Sequence, residues 1–305
     1  MLTRIVDLGA EMALKPTCCL PRIMNFHHPS ADIYVPDGRD LPSALERVTH
    51  LGIGAHQDDL EFMAFHGITT CFDSTEHWFA GVTCCDGAGS ARCGRFADFT
   101  DGEMRAVRRK EQQRAAKIGN YAAMLQLDFA SAALRSPDGL RKLSDDLRQV
   151  LAATRPEVVY THNPADKHDT HVAVFSATLS ALRQLPKNAQ PHRVIGCEVW
   201  RDLDWLPDSD KIVMDVSGYQ ALAKKLNTVF ESQIAGGKRY DLAILGRRQA
   251  HATFFQSHAT DQATEVIFGL DLTPLLADDA PTTSDYLAGF LEHFRADVMD
   301  RLARF

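Results

Sequence analysis

The chain has 305 residues, of which 45% are hydrophobic and 24% charged, the composition of an ordinary globular protein and not of a disordered or collagenous one. Its formal charge is −7, from 40 acidic and 33 basic residues, and no run of Lys or Arg supplies the concentrated positive footprint that nucleic acid requires. No stretch of about 18 apolar residues occurs, so the expected partner is a small molecule, with no nucleic acid and no membrane.

Residues 1–46 read as an N-terminal arm, broken by Pro16, Pro21, Pro29 and Pro36. Asp7 and Glu11 interrupt its apolar part, which therefore does not read as a secretory leader. The seven cysteines are odd in number, include the adjacent pairs Cys18-Cys19 and Cys84-Cys85, and form no CxxC. Reduced thiols and a cytoplasmic location are the expectation.

Residues 47–305 read as a single domain. Val48 to Ala55 is an apolar run that predicts a buried strand, and Leu60 to Thr70 a helix. A second strand is expected at His77 to Cys85, followed by a loop rich in Gly and small residues from Asp86 to Thr100. Met104, Val107, Ala115 and Ile118 share one face of a helix over Asp101 to Ile118, with Gly119 as its stop. Further strands are predicted at Met124 to Phe129, Val158 to Thr161, Val194 to Trp200 and Lys211 to Val216. Helices are predicted between Leu140 and Leu151, from Thr170 to Leu185 and from Tyr219 to Gln233. The last helix carries a stripe of Tyr286, Leu287, Phe290, Leu291, Phe294, Val298 and Leu302, read as a face docked on the core, with a face between like chains as the other reading. Strands alternating with helices imply an α/β fold, a mostly parallel sheet with helices on both faces. Ligands bind such sheets beyond the carboxyl ends of the strands.

Two loops at such strand ends concentrate His and Asp: Gly54-Ala55-His56-Gln57-Asp58-Asp59-Leu60-Glu61, and Thr161-His162-Asn163-Pro164-Ala165-Asp166-Lys167-His168-Asp169-Thr170-His171. A divalent metal ion is the economical reason for such a cluster, since zinc takes His nitrogen and Asp oxygen and leaves a position open in catalytic sites. His56 and Asp59, three apart across a strand-to-helix turn, are candidate ligands, with His171 as the third. Asp58 is then a carboxylate beside the ion, able to accept a proton from water. A capped helix with solvated carboxylates is the plainer reading of either loop alone; two clusters at two strand ends argue against it.

The pair of loops resembles the signature of the PIG-L or LmbE-like zinc N-deacetylases. Ala55-His56-Gln57-Asp58-Asp59-Leu60 stands where that family has Ala-His-Pro-Asp-Asp-Glu. Asp166-Lys167-His168-Asp169-Thr170-His171 stands for Asp-x-His-Pro-Asp-His, and Arg108-Arg109-Lys110-Glu111 for a helical Arg-x-x-Glu. The resemblance spans roughly residues 47–200. It implies a Rossmann-like fold and removal of an N-acetyl group from an amino sugar of the N-acetylglucosamine type. By position, His56, Asp59 and His171 would hold Zn2+ or another divalent metal, and Asp58 would be the general base. His168, in its protonated form, would face the oxyanion or pass a proton to the amine. Asp166 would orient His168, and Arg108 and the later His251 are expected near the substrate. Gln57, Leu60 and Thr170 depart from the family pattern.

Other functions fit less well. Gly52-Ile53-Gly54 lacks the third glycine of a dinucleotide loop. The loop Asp86-Gly87-Ala88-Gly89-Ser90 is not followed by the Lys of a phosphate cradle. A metal-dependent phosphohydrolase needs more His and Asp at helical spacing than the chain has, and a non-catalytic metal- or sugar-binding protein has no need of Asp58. The exact substrate and the oligomeric state, including a homo-oligomer, stay open at this level.

Overall fold

The computed structural model describes residues 24–305; the first half of the expected arm, with Pro16, Pro21, the stretch around Asp7 and Glu11 and the Cys18-Cys19 pair, lies outside the described residues. Among the described residues eight strands form one sheet: β1 (Asp32–Tyr34), β2 (His50–Gly54), β3 (Phe79–Cys85), β4 (Ala123–Phe129), β5 (Val158–His162), β6 (Arg193–Cys197), β7 (Ile212–Asp215) and β8 (Val266–Asp271). Their order across the sheet is β1-β4-β3-β2-β5-β6-β8-β7. The five central strands, β4-β3-β2-β5-β6, are parallel. β1 adds antiparallel to β4 at one edge, and β8 and β7 add antiparallel at the other. This is the expected mostly parallel α/β sheet of Rossmann type.

β2, β3, β4 and β5 are buried along their whole length, and β6 is buried except at Arg193, as parallel strands covered on both faces must be. Side chains alternate between two cores. Leu51, Ile53, Val82, Leu125 and Val159 point to one, where they meet helices α1 (Leu41–Glu46), α5 (Pro137–Thr154) and α6 (Asp169–Arg183). Phe79, Met124 and Tyr160 point to the other, against α2 (Asp59–Met63), α3 (Phe65–Cys71), α4 (Asp101–Ile118) and α7 (Gln220–Thr228). Gly52 lets α2 and α3 sit close on this second face: a Cβ there would stand 2.7 Å from Phe79 Cζ and 2.9 Å from Leu60 Cδ2.

Several elements fall where the sequence predicts them. α4 opens with Thr100 in a capping box with Glu103 and stops at Gly119, and α5 opens on Ser136 with Pro137 in its first turn. The helix expected over Tyr219 to Gln233 is instead two, α7 and α8 (Glu231–Ala235). The chain between them passes through the buried Phe230. β1, α1, β8 and α9 (Tyr240–Phe254) were not predicted. β1 and α1 place part of the expected N-terminal arm in the sheet and on α5.

The last helix, α10 (Thr283–Leu302), corrects one expectation. Tyr286 and Phe290 touch the core, but no residue of α10 is buried, and Leu291, Phe294, Val298 and Leu302 are exposed. Most of the apolar stripe therefore faces away from the domain. Among the described residues no helix is long and apolar enough to cross a membrane, and the five cysteines are free.

At the opposite end of the sheet from the two polar loops, His50 is buried, its Nδ1 2.9 Å from Thr49 Oγ1 and its ring stacked on Tyr160. Burial, helped by nearby His77 and His66, holds it neutral and pushes it down to about 3. The unfolded chain takes up this proton near pH 6.5. His50 is therefore without cost above that pH and favours unfolding increasingly as pH falls from 6.5 toward 3. The effect is on the order of 2 kcal/mol at pH 5. Urea unfolding of chelated protein at pH 7.5 and 5.0 should show His50→Asn losing about 2 kcal/mol less stability on acidification than the wild type; equal losses would remove His50 as a source.

Candidate metal centre and its surroundings

β2 and β5 are neighbours in the sheet, but the chain leaves them toward opposite faces, into α2 and α6. The two polar loops therefore meet at the crevice where the strand order reverses, the usual ligand site of such a sheet. His56 Nδ1 lies 3.3 Å from His171 Nε2, and Asp59 Oδ2 lies 3.4 and 3.5 Å from those two atoms. One donor atom from each of the three residues falls within 4.8 Å of the others. Two imidazoles and a carboxylate so grouped fit a zinc-like divalent ion with a position left open.

Local structure forces the convergence. Asp58 caps α2 with a φ of 101°, a backbone conformation rare outside glycine. Its N–H donates to Gln112 Oε1 at 3.1 Å. The kink lets Asp59 Oδ2 accept the His56 backbone N–H at 2.6 Å. Burial raises the Asp59 carboxyl, but the imidazoles of His171, His162 and His56 outweigh it and hold the group well below the carboxylate range. Burial likewise opposes the charge on His171, and the Asp59 and Asp166 carboxylates raise it.

Asp166 organises the second loop. Its Oδ2 lies 3.3 Å from His171 Nδ1 and accepts the Trp200 N–H at 3.2 Å, while Oδ1 accepts the His168 N–H at 3.0 Å. A carboxylate on Nδ1 fixes the tautomer that leaves His171 Nε2 free for an ion. The sequence reading tied Asp166 to His168; in the structure its side chain also meets His171. His168 stacks on His171 with centroids 4.5 Å apart and stands edge-on to His56 at 5.1 Å. Desolvation, with the imidazoles of His171 and His56, lowers its pKa, so its neutral form is favoured over the protonated one expected.

Asp58 is buried beside Asp59. Burial lifts it to about 6, against the pull of Arg108. Arg108 is itself 1% exposed. It donates to Asp58 Oδ2 and Glu111 Oε2 at 3.0 Å each, and to the Gln57 carbonyl. Glu111 in turn accepts from the backbone N–H and hydroxyl of Ser232. The expectation that Arg108 lies near the substrate thus becomes a buried arginine in contact with Asp58.

The departures from the family pattern have local reasons. Gln57, in the place of Pro, donates to the Cys85 carbonyl at 2.9 Å and ties the loop to β3. Gly87 gives it room: its φ is +74°, and a Cβ would stand 2.6 Å from Gln57 Oε1 and 2.9 Å from Arg108 Cβ. Leu60 fills the core, while Glu61 turns inward to accept from Gln112 and Tyr121, and burial pushes it up to about 8.

Two further groups escaped the sequence reading. His162 stands in the second loop with no role legible from the sequence. It is fully buried, stacks on His171 at 3.9 Å, accepts the Ala55 N–H at 2.9 Å, and lies 3.4 Å from Asp59 Oδ2. Its place directly at the end of β5 was the available signal. Trp200 borders the site from a segment with no motif, and Tyr240 borders it from the polar stretch Gly236-Gly237-Lys238-Arg239-Tyr240, which reads from the sequence as a segment able to fold over the site. His251, expected near the substrate, stacks on Phe268 at 4.1 Å. It lines a separate cavity of about 370 Å3 with Asp202, Asp204, Arg247 and Phe255.

The model of the GlcNAc-PI de-N-acetylases, PIG-L, matches residues 51–182. The uncharacterized deacetylase YaiS of Escherichia coli K12 is 30% identical over 156 residues, which are 50% of this chain and 78% of YaiS. The fold is similar to that of N,N'-diacetylchitobiose deacetylase from Pyrococcus horikoshii, with a TM-score of 0.60, 15% identity, and 82% of this chain and 92% of that one covered. It is also similar to GalB, the 4-carboxy-2-hydroxymuconate hydratase of Pseudomonas putida KT2440, with a TM-score of 0.55, 17% identity, and 77% and 100% covered. At such identities the last two speak for the fold alone, and they carry different chemistries. With the match to the family model running through both polar loops, and a relative matched over most of its length, the chain belongs to the PIG-L/LmbE-like deacetylase family.

Proposed function

We propose that the protein hydrolyses the acetamide of an N-acetylated amino sugar, of the N-acetylglucosamine type, with a divalent ion, most simply Zn2+, held by His56, Asp59 and His171. The observation that carries this reading is the convergence of those three side chains within 4.8 Å, with the buried Asp58 adjoining them. The deacetylase relative supports the bond that is cleaved, and the chitobiose deacetylase of similar fold supports a sugar as its bearer. When bound, the ion supplies Lewis acidity and brings the pKa of a water toward about 7.

The chain's own residues provide the proton transfers. Asp58 accepts the proton of the attacking water. Arg108 occupies its Oδ2, which leaves Oδ1 for the proton, and burial sets its basicity nearer neutral pH than an exposed Asp would have. Neutral His168, flat against His171, donates a hydrogen bond toward the developing oxyanion. Asp58, protonated by that first transfer, then passes the same proton to the departing amine, a poor leaving group without one. Arg108 positions Asp58, and Asp166 positions His171 and His168.

Metal analysis of protein purified without added metal should find about one zinc per chain in the wild type and in Asp58→Asn, and little in His56→Ala. Acetate release from a panel of N-acetylated amino sugars should fall on the order of 1,000-fold in Asp58→Asn. Full turnover by that variant would sink the base assignment, and absence of metal from the wild type would sink the proposal.

Removing Arg108 leaves Asp58 and Glu111 buried without their cation. Arg108→Ala is expected to lower stability by on the order of 3 kcal/mol in urea unfolding. A change below about 0.5 kcal/mol, the size typical of a surface substitution, would show that the buried ion pairs are not what holds this helix to the loop.

A further inference from the structure

Resting on the deacetylase reading, we infer that Trp200 and Lys238 form the substrate-recognition wall of this site: the Trp200 indole takes the sugar ring, and Lys238 takes an anionic substituent carried by that sugar.

Trp200 follows β6 and is joined to the metal centre through one carboxylate oxygen. Asp166 Oδ2 accepts the Trp200 backbone N–H at 3.2 Å and lies 3.3 Å from His171 Nδ1. The indole is therefore held in register with a candidate ligand. Its ring lies nearly parallel to His168, 24° apart with centroids at 6.2 Å, and meets Tyr240 at 85° and 6.1 Å. Tyr240 in turn leans on Phe62, at 5.5 Å, on the helix that begins with Asp59. Trp200 and Tyr240 are each only partly buried. Two partly buried aromatic rings set at right angles beside a polar centre form a corner. A pyranose, with C–H groups on one face and hydroxyls at its rim, packs its apolar face on such a ring while its polar groups stay free for hydrogen bonding.

Lys238 Nζ lies over the Trp200 ring at 5.2 Å. It makes no ion pair among the described residues, and its side chain is exposed. Arg239 is paired with Asp241 and Arg95 with Glu231, whereas Arg201, next to Trp200, is exposed and makes no ion pair among the described residues, so Lys238 is the cation set over the indole itself. The centre itself presents Asp58 and Asp59, on a chain whose formal charge is −7. An anionic substrate approaching that field needs a local cation, and an ammonium on a flexible stem at the aromatic corner is a point charge suited to phosphate or carboxylate.

Acetate release by the metal-loaded protein can be compared on N-acetylglucosamine, its 1-phosphate and its 6-phosphate. The wild type should favour at least one phosphorylated sugar by about tenfold in kcat/KM, mainly through KM. Lys238→Ala should collapse that ratio toward one, and Lys238→Arg should restore most of it. Trp200→Ala should raise KM about tenfold or more while lowering kcat less and keeping the metal content, and Trp200→Phe should recover much of the loss. A wild type with no preference, or a preference that survives Lys238→Ala, overturns the anion assignment. An unchanged KM in Trp200→Ala overturns the platform. Calorimetric titration of the same proteins with glucosamine 6-phosphate and glucosamine 1-phosphate reads the wall without hydrolysis. Binding weakened by both alanine variants, with no acetate released from any sugar, would keep the wall and refute the reaction; no difference in binding would refute the wall.

Discussion

Parallel strands β2 and β5 lie side by side, yet the helices that follow them pack on opposite faces of the sheet. A crevice must open where the two chains part, and the remaining features of the site depend on it. The backbone ends of both strands point into this crevice, so polar residues placed there face one another without crossing the core. His56 and Asp59 come from one side and His162, Asp166, His168 and His171 from the other. No long insertion is needed to bring them together.

Holding so many charges at the edge of an apolar core requires that each be matched. Asp59 is surrounded by three imidazoles. Asp58 and Glu111 share the buried Arg108. Glu61, with hydrogen bonds but no cation, is pushed toward its neutral form. The difference between Asp58 and Asp59, adjacent in sequence, follows from this matching: one is held ionised by imidazoles, the other is lifted toward neutral pH by burial. Two carboxylates thereby acquire two electrostatic characters from their neighbours alone.

The second half of the chain completes the site from outside the parallel sheet. Arg248 on α9 donates to the carbonyls of Glu61 and Phe62 and lies over the Phe65 ring, so α9 braces the helices that follow the first loop. The same helix begins with Tyr240 beside Trp200. Bracing and the aromatic border of the site thus come from one element, whose polar stretches at Tyr240 and at Arg247 to His251 suggest a segment over the site but do not say which residues touch it.

The sequence by itself determined the parallel core and the two loops. Buried strands read as apolar runs, and helix ends carry their own signals in Thr100, Gly119 and Ser136, because hydrogen bonds at a helix terminus are local. That His56, Asp59 and His171 come together, with Asp58 beside them, was legible because they cluster at strand ends. What Arg108 touches was not legible: a charged residue on a helix looks the same whether it meets solvent or lies 1% exposed against two carboxylates 50 and 3 residues away. The edge strands, the position of His251 and the exposed face of α10 were likewise decided by tertiary structure. An amphipathic stripe fixes which side of a helix is apolar, but only the shape of the rest of the molecule determines whether a surface is there to cover it.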